Sequence, residues 1–331
     1  MEPTKIKILL TGATGYIGGS ILAKLLGNPR FPTFNITAIV RSEEKADKLR
    51  SLNVNAVVGS LSDQAFLERL ASESDIVIST ADADNLDSAV ATLRGLKKGY
   101  EATSVPPIFI HTSGTGVLAD DARGMYPTET IYDDLNIEQI ESLAPTQIHR
   151  NVDLALVNAD TEGYIRSYIV LPSTIYGIAE NKLVDMGIQN AHSIQVPFLI
   201  KAALDRGQGG MVGEVADIYI LVLEAILSNK NPGHGREGFY FGENGEHTLY
   251  DVGKRISEIV VELGLGKSPE PTSFTKEEID KYFSGSSYLG SNSRCRANRA
   301  RNLGWKPTKT TKDLLDSLEA ETKVLLKSHP K

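Results

Sequence analysis

A buried strand that runs directly into a glycine-rich turn and a helix is the feature that most constrains this chain. Residues 5–19 read Lys-Ile-Lys-Ile-Leu-Leu-Thr-Gly-Ala-Thr-Gly-Tyr-Ile-Gly-Gly, so an apolar run is followed at once by Gly12, Gly15 and Gly18. Glycine leaves the turn free of Cβ atoms and lets a pyrophosphate approach the backbone N–H groups that open a helix. The first gap is one residue longer than in the usual dinucleotide fingerprint. The stretch predicts a dinucleotide-binding βαβ unit.

Predicted strands and helices alternate through the first half of the chain. After the first strand, further strands are predicted at residues 36–40, 56–58, 75–80, 107–111 and 168–171. Helices are predicted between them at residues 43–52, 63–71, 86–98 and 152–159. This alternation predicts an α/β fold, a Rossmann-type doubly wound parallel sheet covered by helices on both faces. The ligand of such a sheet lies at the carboxyl ends of its strands, where the strand order reverses.

The pattern loosens after Gly177. A long loop at residues 178–193 precedes one short predicted strand at 239–241 and helices at residues 196–204, 215–227, 250–263, 276–283 and 312–326. We therefore expect residues 1–177 to form the NAD(P)-binding domain. Residues 178–331 are expected to form a smaller, mostly helical substrate lobe, from which later segments are free to return to the sheet.

Composition and charge narrow the class of protein. The 331 residues are 41% hydrophobic and 23% charged, as in soluble globular proteins, and their formal net charge of −7 argues against a nucleic-acid partner. The one cysteine, Cys295, excludes an intrachain disulfide, and the scattered histidines show no metal-ligand spacing. The apolar helix predicted at 215–227 is too short to cross a membrane. We expect a cytoplasmic protein with a small-molecule substrate and no metal or membrane partner, and a homodimer is left open.

The end of the second predicted strand bears on the choice between NAD and NADP. An acidic residue at this place binds the ribose hydroxyls of NAD, whereas a basic residue suits the 2′-phosphate of NADP. The strand ends at Val40, and the planar guanidinium of Arg41 next to it suits a phosphate. Glu43 and Glu44 follow and could instead begin the next helix, where negative charge is favourable. The sequence favours NADP over NAD, with a solvated Arg41 as the alternative.

Several motifs taken together resemble one family. They are Thr11-Gly12-x-x-Gly15-x-x-Gly18, His111-Thr-Ser-Gly, Leu171-Pro-Ser-Thr-Ile-Tyr-Gly177 and, near the end, Gly290-Ser-Asn-Ser-Arg-Cys-Arg and Leu303-Gly-Trp-Lys-Pro307. With them the chain resembles the extended short-chain dehydrogenase/reductases, the NAD-dependent epimerase/dehydratase group, in an atypical branch common in fungi. The resemblance covers nearly the whole chain.

The resemblance implies a set of cofactor-binding residues. The pyrophosphate would lie against Gly12, Thr14, Gly15, Tyr16, Ile17 and Gly18. Leu61, after the third strand, would contact the adenine, and Thr80 and Ala81 would line the ribose. Pro172 would approach the nicotinamide. For Leu61 and Ala81, ordinary packing at a loop edge is the alternative.

The catalytic pair of the family is missing from its expected place. The family uses Tyr-x-x-x-Lys on the helix before the sixth strand, where the lysine lowers the pKa of the tyrosine. Here His149 and Asp153 stand at the two positions. In one interpretation His149 is the general acid/base, because an imidazole titrates near neutral pH, and Asp153, one helical turn on, orients it or raises its pKa. In the other, the two residues cap and pair on a helix surface, and proton transfer is lost.

The resemblance also implies an assisting hydroxyl after the fifth strand. Because the matching position falls on Gly114, either Ser113 or Thr115 would hold the substrate oxygen, with hydrogen bonding inside the loop as the alternative. A true Tyr-x-x-x-Lys occurs at Tyr250 and Lys254, but we interpret it as a coincidence because it lies in the second lobe.

Two further features concern the substrate. Relative to the family, roughly ten residues are absent after Gly213, which would distort the substrate pocket. A basic cluster either grips an anionic substrate or lies solvated on a helix face. Its members are Arg294, Arg296, Arg299 and Arg301.

Two functions from different classes follow from the resemblance. The first is an NAD(P)-dependent oxidoreductase that transfers a hydride to or from a small carbonyl or hydroxyl compound, with epimerase or dehydratase chemistry as a variant. The second is a non-catalytic NADP-binding regulator or redox sensor, similar to the NmrA-like proteins. The missing Tyr-x-x-x-Lys weakens the first and supports the second.

Overall fold

The computed structural model describes residues 4–208 and 217–328 of the chain. Seven of its strands are β1 Ile6–Thr11, β2 Phe34–Val40, β3 Asn55–Val58, β4 Ile76–Ser79, β5 Ile108–Thr112, β7 Arg166–Pro172 and β8 Phe239–Gly242. They form one parallel sheet in the order β3-β2-β1-β4-β5-β7-β8. The strand order reverses beside β1, so the glycine-rich turn after β1 opens at the point where ligands of such sheets bind.

The residues of the central strands explain their position. Ile8, Leu9 and Leu10 in β1 are almost fully buried, as expected for a parallel strand that is covered by helices on both faces. The covering helices in the first half are α1 Tyr16–Leu26, α2 Glu43–Arg50, α3 Gln64–Ser72, α4 Leu86–Thr103, α5 Ile137–Glu141 and α6 Arg150–Thr161. The predicted α/β class and the predicted parallel sheet are confirmed.

Helices α3 and α4 pack unusually close together. Their N-caps are Asp63 and Asn85, whose side chains accept hydrogen bonds from backbone N–H groups of the first turn. At the crossing, a Cβ on Gly95 of α4 would collide with the Glu68 carbonyl oxygen and lie 2.7 Å from the Ala71 Cβ. The missing side chain at Gly95 therefore sets the distance between the two helices.

The second part of the chain builds its own apolar cluster. Its helices are α7 Lys182–Asp185, α8 Gln195–Arg206, α9 Asp217–Leu227, α10 Leu249–Glu262, α11 Lys276–Phe283, α12 Asn298–Asn302 and α13 Thr311–Ser328. Helices α8, α10 and α13 share a core that includes Val196, Ile200, Ile256, Ile259 and Leu318. Helix α9 instead joins the core of the main sheet, where it packs against α1 and β7. The later segments thus contribute to both cores, and the boundary expected at residue 177 stays a prediction.

Some local structure differs from the expectation. The loop at residues 178–193 contains α7, and a second, two-stranded parallel sheet pairs β6 Tyr132–Asp133 with β9 Cys295–Arg296. Such two-residue strands carry too few side chains to show a period. The shortening expected after Gly213 and the first residues of the helix expected at 215–227 lie outside the described residues. None of the described helices is both long and apolar enough to cross a membrane.

Candidate functional site

The glycine-rich turn is held by close backbone contacts with β4. Gly12 has a φ of +75°, and a Cβ there would lie 2.5 Å from the Thr80 hydroxyl oxygen and 2.9 Å from the Ala81 nitrogen. The Thr80 hydroxyl donates a hydrogen bond of 2.7 Å to the Thr11 carbonyl. A Cβ on Gly18 would collide with the Gly12 carbonyl oxygen. Both glycines are therefore required by the backbone, and Thr80 and Ala81 lie directly against the turn.

The start of α1 suits a phosphate group. Its N-cap, Gly15, supplies no side-chain acceptor, and its first turn contains no acidic residue. Thr14, Tyr16 and Ile17 around it are only half-buried. The unpaired N–H groups and the helix dipole at such an end attract an anion. These residues fit the pyrophosphate of a nicotinamide dinucleotide.

A segment from the second part of the chain packs against this turn, a contact that the sequence analysis did not predict. The Gln189 side chain covers Gly19 and donates 2.9 Å hydrogen bonds to the Tyr16 carbonyl and the Ser20 hydroxyl. The Tyr16 hydroxyl in turn donates to the Tyr176 carbonyl at 2.8 Å. Tyr16 is therefore fixed between the two parts of the chain.

The remaining residues assigned to the cofactor, Leu61 and Pro172, lie at the ends of β3 and β7, on opposite sides of β1 in the sheet. Leu61 follows β3 and packs at the edge of the main core, which is the environment of the packing alternative. Pro172 ends β7 opposite Gly242, and the next residue, Ser173, donates to the Gly242 carbonyl at 2.7 Å. All of these positions lie at the carboxyl edge of the sheet.

After β2, the basic residue and the acidic residues have different surroundings. Arg41 is exposed and has no hydrogen-bond or ion-pair partner among the residues that the structure describes. Glu43 and Glu44 lie in the first turn of α2, where they pair with Arg50 at 3.1 Å and Lys48 at 2.6 Å. The two glutamates serve the helix, while Arg41 is free to bind a ligand.

His149 is oriented by a carboxylate that the sequence analysis missed. Its Nδ1 lies 2.7 Å from the Asp84 Oδ1, and its backbone N–H donates to the same oxygen at 3.0 Å. Asp84 belongs to the loop that begins at Thr80 beside Gly12. The His149 Nε2 has no hydrogen-bond partner in the described part of the chain and lies 3.1 Å from where a Gly114 Cβ would be. The only signal in the sequence was the polar run after the fourth strand.

The expectation that Asp153 orients His149 is wrong. His149 precedes α6 with a φ of 67°, so the helical spacing that would bring the two side chains together does not apply. The Asp153 carboxylate is fully buried and accepts a hydrogen bond from the Ser113 hydroxyl at 3.1 Å. Burial raises the pKa of Asp153 to about 7, against the opposing effects of that hydrogen bond and of the Arg150 charge.

The loop after β5 brings the other assigned residues near His149. The Ser113 hydroxyl is engaged as a donor to the Asp153 carboxylate. Thr115 is buried, and its carbonyl accepts a hydrogen bond of 2.5 Å from Ser293. His111 is buried in β5, and its pKa is lowered to about 3, chiefly by burial and then by the charge on His149. His111 is therefore neutral and belongs to the core.

The Tyr-x-x-x-Lys pair and the basic cluster both bind other groups of the protein. Tyr250 and Lys254 lie on the surface of α10 and both bind Glu270, at 2.8 Å and 2.6 Å. Each arginine of the basic cluster has a protein partner rather than free space: the partners are Glu246 for Arg294 and Arg296, Asp134 for Arg299 and Glu243 for Arg301. Over residues 4–208 and 217–328, no group of three acidic, histidine or cysteine side chains could hold a metal ion.

Comparison with known proteins agrees with this geometry. Residues 12–135 match the NAD(P)H-binding family. The oxidase ucsJ of Acremonium sp is 27% identical over 91% of this chain and 92% of its own length. Phenylcoumaran benzylic ether reductase PT1 of Pinus taeda is 32% identical over 39% of this chain and 42% of its own length. The structure of UDP-glucose 4-epimerase from Thermotoga maritima matches with a TM-score of 0.60 at 17% identity, over 98% of this chain and 99% of the other.

These matches and the strand order lead to the same assignment. The family match spans the glycine-rich turn, Arg41, Leu61, Thr80 and Asp84, so it includes most of the residues assigned to the cofactor. The structural match also extends over the part of the chain after residue 177. Residues 12–135 are therefore similar to the NAD(P)H-binding family, and the chain has the fold of the solved epimerase structure, as its motifs predict.

Proposed function

We propose that this chain is an NAD(P)-dependent oxidoreductase that transfers a hydride to or from a small carbonyl or hydroxyl compound. The observation that carries the proposal is the His149–Asp84 pair, in which a ring nitrogen lies 2.7 Å from a carboxylate oxygen. The loop that holds Asp84 begins at Thr80, beside the cofactor turn. Two relatives named as an oxidase and a reductase also support redox chemistry.

The groups present suggest which one provides the hydride and which one provides the proton. The glycine-rich turn would hold a reduced dinucleotide, which when bound would supply a hydride with its electron pair to the carbonyl carbon and would be oxidised. The substrate oxygen then needs one proton to complete the alcohol. His149 suits this role because Asp84 accepts from Nδ1–H, while Nε2 has no partner in the described residues and faces the loop after β5. The proton that the imidazole gives up would be replaced from solvent, to which the His149 side chain is 16% exposed.

We further propose that the cofactor is NADP rather than NAD. The support is the contrast between the free guanidinium of Arg41 and the paired carboxylates of Glu43 and Glu44. A planar guanidinium binds a phosphate bidentately, whereas an acidic residue is needed to accept from the ribose hydroxyls of NAD. Paired glutamates are poorly placed for the second task.

The second candidate is a regulator that binds the dinucleotide without turnover. It is favoured by the hydrogen bond between Ser113 and Asp153. Through this bond a candidate assisting hydroxyl is occupied by the residue that stands at the family's lysine position. In this function His149 and Asp84 are a structural pair that fixes the start of α6.

The rest of the proposal concerns the location of the protein and its binding partners. We propose a cytoplasmic protein whose partner is a small-molecule substrate, without nucleic acid or membrane. The support is the net charge of −7 and the single cysteine. A homodimer stays open, and size-exclusion chromatography with light scattering decides it.

Cofactor binding is tested first, by titrating the purified protein with NADPH and NADH. We expect tighter binding of NADPH. Arg41→Ala should weaken NADPH binding by about 10- to 100-fold and leave NADH unchanged, because a charge-assisted hydrogen bond contributes about 1.5–3 kcal/mol. Lys48→Ala is the matched control, since Lys48 is a nearby cation paired with Glu44. Equal loss of both cofactors in Arg41→Ala would contradict the NADP assignment.

Turnover is tested with NADPH and a panel of carbonyl compounds, followed at the nicotinamide absorbance. His149→Asn should lower kcat by about 10²- to 10⁴-fold, because general acid–base catalysis contributes this much. Asparagine tolerates the left-handed backbone of this position, so the fold and NADPH affinity should be retained. Asp84→Asn should lower kcat by about 10²- to 10⁴-fold, because an amide no longer fixes the tautomer of the imidazole. Full activity of His149→Asn would refute its role, and NADPH binding without turnover on the whole panel would establish the regulator.

A further inference from the structure

Two polar groups without partners meet over Gly116, in the loop that follows β5. A Cβ on Gly116 would collide with the Tyr288 hydroxyl and would lie 3.3 Å from the His149 Nε2. Neither the hydroxyl nor Nε2 has a hydrogen-bond partner among the described residues. One belongs to the second lobe and the other to the helix start beside the cofactor domain. The absence of a side chain at Gly116 is what lets them approach.

The segment that carries Tyr288 is fixed beside this loop by hydrogen bonds. Tyr288 lies in the single helical turn Tyr288–Gly290. The carbonyl of Gly290 accepts from the Gly124 N–H at 2.6 Å, and the Asn292 N–H donates to the Asp120 carboxylate at 2.8 Å. The position of the tyrosine is therefore set by the chain segment that follows β5, not by its own lobe alone.

The electrostatic surroundings keep the tyrosine a donor. Burial, and then the negative charge of Asp84, raise the pKa of the Tyr288 hydroxyl above its ordinary value. The phenol stays protonated at neutral pH and can donate one hydrogen bond. An oxygen atom placed between the phenol and the imidazole would accept from both.

We propose that Tyr288 donates a hydrogen bond to the same substrate oxygen that His149 protonates, and that the site takes an uncharged, apolar or aromatic carbonyl compound rather than a nucleotide sugar. The inference rests on the proposed oxidoreductase function and names the substrate class of that site. Tyr288 is then a catalytic residue contributed by the second lobe, in place of the hydroxyl that Ser113 gives to Asp153.

The substrate class follows from the walls of the site. The Ile148 Cγ2 lies 3.3 Å from the same Gly116 position, and the Ile148 side chain is 42% exposed. With the ring of Tyr288, it presents an apolar surface next to the imidazole. A nucleoside diphosphate needs cationic partners, and the arginines that follow Tyr288 on the same segment, Arg294 and Arg296, are paired with Glu246. Apolar walls with two convergent polar groups suit a small uncharged ligand.

The test measures ligand binding and turnover separately. Benzaldehyde, cinnamaldehyde and UDP-glucose are titrated by calorimetry into the NADPH-saturated protein, and NADPH oxidation is then followed with each. We expect the aldehydes to bind and UDP-glucose not to bind. Tyr288→Phe should weaken aldehyde binding and raise KM by about 5- to 10-fold, the loss of one neutral hydrogen bond. Tyr250→Phe is the matched control, because Tyr250 is an exposed tyrosine of the same lobe that binds only Glu270 among the described residues.

The outcomes separate the two proposals. Unchanged aldehyde affinity in Tyr288→Phe, or tight binding of UDP-glucose without aldehyde binding, overturns this inference and leaves the oxidoreductase function standing. Aldehyde binding that is weakened by Tyr288→Phe, with no NADPH oxidation by the wild-type chain, supports the site and defeats the oxidoreductase function. Failure of every aldehyde to bind also overturns the inference.

Discussion

Asp153→Asn should make the protein more stable, by an amount that grows from mild acid to a maximum above neutral pH. The Asp153 carboxyl is fully buried, and burial raises its pKa from 3.8 to about 7. Between these two pH values the folded chain holds the proton while the unfolded chain has lost it, so the free energy of unfolding falls as the pH rises through this window. Asparagine keeps the acceptor for the Ser113 hydroxyl and cannot ionise.

The size of the effect follows from the pKa difference. One pKa unit corresponds to about 1.4 kcal/mol, so ionising Asp153 in the folded chain costs about 4 kcal/mol once the pH exceeds 7. Near pH 5 the folded wild type still holds the Asp153 proton but the unfolded wild type has lost it, so the variant should already be more stable by about 2 kcal/mol. Near pH 8 the variant should be more stable by up to about 4 kcal/mol.

Urea unfolding of both proteins near pH 5 and pH 8 measures this difference. Asp47→Asn is the matched control, because Asp47 is an exposed carboxylate of α2 and its removal should change stability by under about 1 kcal/mol at either pH. Arg150 provides the competing explanation, since its Nε and Nη1 and the Asp153 Oδ1 are buried without partners in the described residues. A variant that is less stable than the wild type near pH 8 by about 3–5 kcal/mol would show an ionised Asp153 paired with Arg150, and would refute the reasoning.

Three further predictions concern single positions. Gly12→Ala should lower the free energy of unfolding by about 2–4 kcal/mol and abolish NADPH binding, because Gly12 has a positive φ and lies against Thr80. Gly15→Ala should unfold like the wild type, and calorimetry measures both variants. Gly95→Ala should destabilise by about 1–3 kcal/mol despite the better helix propensity of alanine, and a rise in Tm would contradict the close α3–α4 contact. Glu321→Gln should be more stable than the wild type above pH 7, because burial raises the pKa of the Glu321 carboxyl to about 7. Glutamine keeps an acceptor for the Gly177 N–H, which donates to Glu321 at 2.6 Å. Equal pH profiles of the two proteins in thermal unfolding would count against this prediction.

The fold could be predicted because its signals are local. The apolar strand, the glycine turn and the helix that follows are read from residues 5–26 alone, and each later strand repeats the pattern. The site could be predicted only where its residues belong to such local motifs, as Gly12, Thr80 and Arg41 do. Asp84 and Tyr288 lie 65 and 139 positions away from His149 in the sequence, and their approach depends on the strand order and on the docking of the second lobe.

The mistaken partner for His149 has a similar cause. The spacing of His149 and Asp153 suggests one helical face only if both residues are helical. The chain enters α6 through a left-handed residue at His149, which turns the imidazole toward the loop after β4. The identity of the residue does not by itself predict the left-handed conformation at this position. Backbone geometry at a helix start therefore decided which carboxylate the ring would meet.

The left-handed backbone of His149 also bears on what the histidine contributes to folding. A residue with a Cβ loses about 1 kcal/mol in this conformation, and glycine loses none. The ring–carboxylate hydrogen bond to Asp84 returns a similar amount, about 1 kcal/mol. The imidazole therefore adds almost nothing to folding, and His149→Gly should leave Tm nearly unchanged. A lineage that needed only to bind the dinucleotide could lose this side chain without cost, so retention of the histidine would mark selection for proton transfer.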